Sequence, residues 1–478
     1  FSVVKELNMQ TASHTTESTA KHAPKPVAGR IVTSHFRKHY FKFCTDNPIL
    51  GVALVPASIF GQALWLLPSL LKARAAFKKK KRDPQNPRVF FWTDTLDEVN
   101  GIANNIRLTV KKQIDKGRKA HLIGAVHRTR DGGRVENSFV ILFPLAFGMP
   151  QLGYPDSELS APHMGPILRW FLRYPPDVVE LDTPNPGSWV VMVICKFLGI
   201  PVISHYRTDA NGYTRMLVKW KFMHLYVHFL VWSFTRLTTP VITPSRDFKR
   251  IVREEMGIPD SKIALLPRGI ELASFYPERK SSNTWPSFSK ANRAVRFLFV
   301  GRVSLEKSLP FQEEVWKEFR QHNSEAELMI VGHGPYLDTM KERMADCPEV
   351  SFTGQLSGES LFNLYAEADY FIFVSGNDTF GNVIVEALAS GTPALISDRG
   401  GPKDIVEGTD CGVIIPFRDK EAWVSALQQA VRRRVDDPNS FEELRKRCVA
   451  HSKKFSLDSA CDAQWEFMTK LAQGKPWQ

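Results

Sequence analysis

From residue 88 onward, short apolar runs bounded by turn residues recur along the chain and predict buried strands. The first series is RVFFWT (88–93), HLIGAV (121–126), DVVELDTP (177–184), GIPVISHY (199–206) and TTPVITPS (238–245). The second is VRFLFVGR (295–302), AELMIVG (326–332), VSFTG (350–354), YFIFVS (370–375) and TPALISD (392–398). Between strands the period changes. IANNIRLTVKKQIDKG (102–117) carries apolar residues at helical spacing and stops at Gly117, a residue that accepts a left-handed cap. This strand–loop–helix–strand order predicts an α/β protein with two Rossmann-like halves. The polar stretch WPSFSKANR (285–293) reads as a linker between them. The expected division is an N-terminal domain at 86–278, a linker at 279–294, a C-terminal domain at 295–454 and a closing helix within 455–478.

The first 85 residues follow a different pattern. Residues 10–30 are rich in Ser, Thr, Ala, Lys and His, with few large apolar residues, and predict disorder. From Asn47 to Leu71 the chain carries no charge, and KARAAFKKKKR (72–82) follows. That length can span a bilayer, and the basic run favours anionic headgroups on a cytoplasmic face. Pro48, Pro56 and Pro68 disfavour a straight span, and Arg37, Lys38 and Lys42 put positive charge on the other side. A single span, an interfacial or re-entrant anchor and a soluble hydrophobic hairpin all remain open. The expectation is membrane association, with the folded domains cytoplasmic.

Charge sharpens this division. The net charge is +13, and fourteen Lys/Arg against four Asp/Glu fall in residues 1–85. The body is therefore near neutral, which argues against a nucleic-acid partner. Six cysteines (44, 195, 347, 411, 448 and 461) show no CxxC pair and no Cys/His cluster. That pattern argues against zinc and against a disulfide framework, and suits a reducing compartment.

Candidate chemistry concentrates in DTFGNVIVEALASGTP (378–393). A turn at a strand's C-terminal end opens a helix there, which is where ligands bind in α/β folds and where backbone N–H groups face an anion. Glu386 lies about two turns into that helix, on its sheet side. Burial alone does not call for a carboxylate at such a place. Arg302 and Lys307 stand in a second strand-end loop, GRVSLEK. Arginine offers a planar fork for phosphate oxygens and lysine a compact charge.

The 378–393 segment resembles the donor-site signature of family 4 glycosyltransferases, retaining enzymes of the GT-B fold. LFVGRVSLEKSL (298–309), LMIVGHGPY (328–336), SFTGQL (351–356), YAEADYFIFVS (365–375) and ISDRGGPKDIV (396–406) are similar to the family's C-terminal half in order. FFWTDTLDEVNGI (90–102) and ISHYRTD (203–209) resemble its N-terminal strand-loops, and the likeness covers roughly residues 88–470. It implies two Rossmann-like domains facing across a cleft, with the last helix crossing back onto the first domain. It also implies a nucleotide-diphosphate sugar as donor, transfer with retention, and no metal cofactor.

Residue by residue, the resemblance implies that Arg302 and Lys307 hold the diphosphate and Glu386 the ribose. Asp378 and the turn Thr379, Phe380, Gly381 and Asn382 would meet the hexose or the diphosphate, and Gly101 would bring backbone to the phosphates. Two departures stand out. Asp378 occupies a position that is usually Glu, so its reach is shorter by a methylene. Arg207 occupies the place of a frequent His, and His205 lies two residues earlier; Arg207, His205 and Asp209 are all candidates for the active centre. His333 stands where relatives often carry an acid and would border the nucleotide. His127, His163, Glu180 and Asp182 read as surface or turn residues. The amphipathic stretch 217–237 reads as core packing, with an acceptor or membrane contact as the alternative.

The expected activity is transfer of a sugar from a nucleotide-diphosphate donor to a lipid or lipid-linked glycan, with a membrane surface as partner. The nucleotide base is not legible. Alternatives are a nucleotide-sugar epimerase, a soluble-disaccharide synthase, or a catalytically silent partner that binds the nucleotide sugar.

Overall fold

The computed structural model describes residues 48–78, 83–94, 96, 101–126, 140–151, 154–182, 184–206, 221–238, 240–266 and 268–477. These fall into two compact units. The C-terminal unit comprises Ser245–Asp247 and Pro267–Ser459, and the N-terminal unit comprises the described residues from Pro48 to Pro244, Phe248–Leu266 and the residues from Ala460 on.

Up to residue 265 the chain runs α1 (Pro48–Lys78), β1 (Val89–Thr93), α2 (Gly101–Asp115), β2 (Ala120–Val126), β3 (Val140–Gln151), β4 (Tyr154–Pro162), α3 (Met164–Arg173), β5 (Val178–Leu181), α4 (Pro186–Leu198), β6 (Val202–His205), α5 (Lys221–Leu237), β7 (Val241–Thr243), α6 (Arg246–Met256) and β8 (Ile263–Leu265). The strands form one sheet in the order β4-β3-β2-β1-β5-β6-β7-β8. All its pairings are parallel except β3 with β4. Strand alternation sends Phe90, Trp92, Val179 and Leu181 to one face and Val89, Phe91, Val178 and Ile203 to the other, each with its own core. Each such side chain contributes about 1.5–3 kcal/mol of burial. The β3–β4 hairpin was not foreseen, because its sequence, VILFPLAFGMPQ then YPDSELSAP, breaks alternation with four prolines and a glycine.

The uncharged segment is a helix despite Pro56 and Pro68 inside it. Ile59, Leu70, Ala73 and Phe77 of α1 are buried in the N-terminal unit's core. Among the described residues no helix is long and apolar enough to cross a membrane, so the single-span reading finds no support there. On the other side of α1, Phe60, Leu64, Trp65 and Leu71 are exposed.

The second half runs β9 (Val295–Val300), α7 (Leu309–Phe319), β10 (Ala326–Val331), α8 (Leu337–Arg343), β11 (Val350–Gly354), α9 (Glu359–Glu367), β12 (Tyr370–Phe373), α10 (Asn382–Ala389), β13 (Ala394–Ser397), α11 (Lys403–Val406), β14 (Gly412–Ile415), α12 (Lys420–Asp436), α13 (Pro438–Ser452) and α14 (Leu457–Ala472). Its sheet is parallel throughout, in the order β11-β10-β9-β12-β13-β14. The polar stretch expected as a linker is part of this unit. Trp285 is fully buried; its indole N–H donates to Glu327 at 2.6 Å and its backbone N–H to Glu367 at 2.6 Å. One buried indole outweighs the polar composition around it. From Ala460 on, α14 belongs to the N-terminal unit, where Trp465, Phe467 and Met468 enter the core and the Gln113 side chain donates to the Cys461 carbonyl at 3.0 Å.

Candidate functional site

In each sheet the strand order reverses at one place, and in open α/β sheets ligands bind beyond the carboxyl ends of the strands at such a place. In the C-terminal unit that place lies between β9 and β12. The loop after β9 carries Arg302 and Lys307, and the loop after β12 carries 376–381. Topology therefore brings together two segments that are about seventy residues apart in sequence, and side chains join them. Lys307 Nζ donates to Asp378 Oδ1 at 2.6 Å, with both groups about one-fifth exposed. Lys307 also lies over the Phe373 ring, 5.6 Å from its centroid. Arg302, in the same loop, is exposed.

The bend after β12 is built on glycine. Gly381 sits at φ +94°, a left-handed conformation that side chains resist, and it precedes α10 with no side-chain cap. The first N–H groups of α10 are thus not taken up by a capping side chain. Against this bend packs the loop Arg399–Pro402. The Gly401 N–H donates to the Asp378 carbonyl at 2.8 Å, and a methyl group at Gly401 would lie 2.0 Å from the Thr379 carbonyl oxygen. Gly400 and Gly401 are therefore part of the site's frame, although they bear no side chain to signal it. The GHG turn after β10 packs as closely: a methyl at Gly332 would lie 1.8 Å from the Gly301 carbonyl.

Two buried oxygens around this bend, Asp378 Oδ2 and Asn382 Oδ1, have no protein hydrogen-bond partner. Buried acceptors are rarely left so, and a ligand rich in hydroxyls would satisfy them. Asp378 is not a helix cap, since Gly381 holds that position. Thr379 is half-buried and Phe380 is a core residue against Phe455, 6.0 Å between centroids, so Phe380 can offer a ligand only its backbone.

Glu386 lies on α10, half-buried, and accepts from the Tyr365 hydroxyl at 2.7 Å. Burial pushes its carboxyl above the usual range, and the Tyr365 hydrogen bond only partly offsets that. Tyr365 itself is held protonated by burial and by the neighbouring Glu386. Such a pair is costly without a further role, and a carboxylate at a strand-end crevice is suited to accept hydroxyl donors.

Two family descriptions match the chain: Glycosyltransferase Family 4 over residues 99–274 and Glycosyl transferases group 1 over 283–455. The alpha-monoglucosyldiacylglycerol synthase of Streptococcus pneumoniae is 29% identical over 320 residues, covering 64% of this chain and 70% of that protein. A GDP-mannose-dependent alpha-mannosyltransferase of Mycobacterium tuberculosis is 27% identical, covering 68% of this chain and 82% of its own. Among solved structures, a sucrose-phosphate synthase from Thermosynechococcus elongatus superposes with a TM-score of 0.64 at 18% identity, over 82% of this chain and all of that one. The chain is a family 4 glycosyltransferase of the GT-B fold.

In the N-terminal unit of this glycosyltransferase the strand order reverses between β1 and β5. Gly101 opens α2 in the stretch after β1. Asp94, at the end of β1, is buried and accepts from the Ser188 N–H at 3.2 Å and the Ser188 hydroxyl at 2.9 Å. Desolvation raises its carboxyl to about 7. His205 ends β6, with Nε2 3.0 Å from Glu180 Oε1. Arg207 and Asp209 lie outside the described residues, as does His127. His333 is exposed and engages the β9 loop through its backbone, its carbonyl accepting from the Val303 N–H at 3.1 Å.

The surface reading of Glu180 and Asp182 is overturned: both are fully buried. An acid inside an apolar run such as VVELD passes as a strand-end residue in sequence, and only the covering helix α14 shows what pairs it. His163 is exposed, as expected. Sequence reasoning also missed Tyr365, whose hydroxyl finds Glu386 from a different helix and carries no spacing signal.

Proposed function

We propose that this glycosyltransferase moves a hexose from a nucleotide-diphosphate donor to a lipid or lipid-linked glycan acceptor, with retention and without a metal. The observation that carries the proposal is the meeting of Lys307 with Asp378 at the C-terminal switch point, beside an uncapped helix start. When the donor's C1–O bond breaks, the electron pair goes to the departing diphosphate. Lys307, Arg302 and the α10 N–H groups would receive that charge, replacing what a metal supplies elsewhere. The acceptor hydroxyl forms the new bond to C1, and its proton goes to the departing diphosphate oxygen. Glu386 would take the ribose hydroxyls, and Asp378 with Asn382 the hexose hydroxyls.

The acceptor class rests on two supports. One relative is named for synthesis of a glucosyl-diacylglycerol. The other is surface chemistry: Phe60, Leu64, Trp65 and Leu71 on α1 and Phe222, Leu225 and Phe229 on α5 are exposed apolar side chains. Lys72 and Arg74, also exposed, stand at the basic end of α1. Aromatic and basic residues together suit the headgroup region of an anionic leaflet. Five described cysteines are free and buried, as fits a cytoplasmic location for the catalytic units.

The test is incubation of the full chain with a panel of nucleotide sugars and a lipid extract, with the product's anomeric configuration read by sugar NMR. The expected result is an alpha-linked glycolipid from an alpha-configured donor, made in the presence of a chelator. An epimerised nucleotide sugar or a soluble disaccharide as product would overturn the acceptor reading.

A further inference from the structure

A buried cation in the C-terminal unit stands behind the pair that faces the donor. Arg445 of α13 is 3% exposed, and its guanidinium is spent on backbone. Nη1 donates to the Ala368 carbonyl at 2.9 Å, and Nη2 to the Ala366 carbonyl at 2.8 Å and the Ser390 carbonyl at 3.4 Å. Ala366 lies in the last turn of α9, Ala368 caps that helix, and Ser390 caps α10. One planar fork thus gathers the C-terminal carbonyls of two helices, the ends that carry partial negative charge. Glu442 is 3.9 Å away and half exposed, so the carbonyls rather than that ion pair offset the burial of the charge.

The positions of those carbonyls matter. Tyr365 directly precedes Ala366, and Glu386 lies one turn before Ser390, whose N–H donates to the Glu386 carbonyl at 3.1 Å. The 2.7 Å bond from the Tyr365 hydroxyl to Glu386 Oε2 therefore joins the two helix ends that Arg445 ties together. Thr392, fully buried, fastens the α9 end again: its hydroxyl donates to the Tyr365 carbonyl at 2.5 Å and the Ala368 carbonyl at 3.3 Å. Resting on the assignment of Glu386 to the ribose hydroxyls, we propose that Arg445 is a positioning residue for donor recognition: by holding the ends of α9 and α10 together it sets the Tyr365–Glu386 bond and aims the carboxylate at the ribose. Tyr365 holds Oε2, and the half-buried carboxyl presents Oε1 to the ligand. A hydrogen bond to ribose weakens steeply with misplacement, so an error at the helix ends is felt at the ligand. Lysine keeps the charge but is a compact donor that cannot span three carbonyls.

The test is titration calorimetry of the full chain with UDP, GDP and ADP and with their 2′,3′-dideoxy counterparts, well below the melting temperature of each protein. Wild type should bind at least one ribonucleotide about tenfold or more tighter than its dideoxy form, the contribution of a hydrogen bond to a charged acceptor. In Arg445→Lys that preference should shrink to about threefold or less, with affinity for the dideoxy form unchanged. A general loosening of the fold would weaken both ligands alike, so the ratio reads positioning and not stability. The double variant Arg445→Lys/Glu386→Gln should bind the ribonucleotide within about twofold of Glu386→Gln, since the arginine acts through the glutamate. Should Arg445→Lys not fold, Thr392→Val removes the second fastening at nearly constant shape and should give the same pattern with a smaller loss. A preference kept at the wild-type value, equal losses on both ligands, or losses that multiply in the double variant would overturn the proposal. A wild type that binds both forms equally would sink the ribose assignment of Glu386, and the proposal with it; a wild type that binds none of the nucleotides would sink the functional reading as a whole.

Discussion

Replacing Glu386 by Gln separates the two demands on that residue, because the account predicts effects of opposite sign. In the ligand-free protein the carboxylate is desolvated and has one donor, the Tyr365 hydroxyl at 2.7 Å. Glutamine has the same shape, still accepts from Tyr365, and carries no charge to desolvate. The sign of the pH dependence follows from the raised value. A carboxyl whose folded value exceeds its ordinary 4.5 contributes stability below that value, and the contribution is lost as pH rises through the folded value. Glu386→Gln should therefore be no less stable than wild type at pH 7.5, by up to ~1 kcal/mol, a rise in Tm of about 2–4 °C for a unit of this size. Near pH 4 the two proteins should melt alike. Donor binding should move the other way. A hydrogen bond from a ribose hydroxyl to a charged acceptor contributes about 1.5–3 kcal/mol, so affinity should fall roughly 10- to 100-fold. Differential scanning calorimetry at the two pH values and titration calorimetry with the donor give both numbers. A variant that loses stability at pH 7.5 while binding donor as tightly as wild type would show Glu386 to be structural.

Other consequences follow from the same geometry. Gly401→Ala, whose methyl would fall 2.0 Å from the Thr379 carbonyl, should displace the bend and lower both melting temperature and donor affinity, whereas Gly408→Ala, with nothing within 4 Å of the added methyl, should lower stability modestly through its φ of +74° and spare affinity. Asp94→Asn should stabilise the protein at pH 8 and not near pH 4: its carboxyl is raised to about 7, so the stability it contributes at low pH is lost as pH rises through 7, at most about 4 kcal/mol in all, and thermal melts across pH 4–8 will show it. Trp65→Glu with Leu225→Glu, both at exposed positions, should weaken sedimentation with anionic phospholipid vesicles at least several-fold while leaving soluble donor binding intact.

The parts legible in the sequence were those set by local pattern. Buried parallel strands write continuous apolar runs, and YFIFVS or AELMIV announce themselves. Gly381 was legible because a bend that opens a helix needs a left-handed residue. The hidden parts are set by partners distant in sequence. Glu180 lies in an apolar run, and its burial depends on Gln464 at the far end of the chain. Trp285 sits in a polar stretch, yet Glu327 and Glu367 pin it inside the C-terminal unit. The helix at 48–78 tolerates two prolines because its own core contacts, through Leu70, Ala73 and Phe77, hold it where propensity would not.

The central claim is that the loops after β9 and β12 grip a nucleotide diphosphate sugar through Lys307, Arg302 and the bend at Gly381. Titration calorimetry of the full chain with a panel of nucleotide sugars in chelator tests it most directly, with wild type beside Lys307→Met. The account predicts binding of at least one nucleotide class by the wild type and a loss of about tenfold or more in the variant. Equal binding by both proteins, or none by the wild type unless a divalent metal is added, would contradict it.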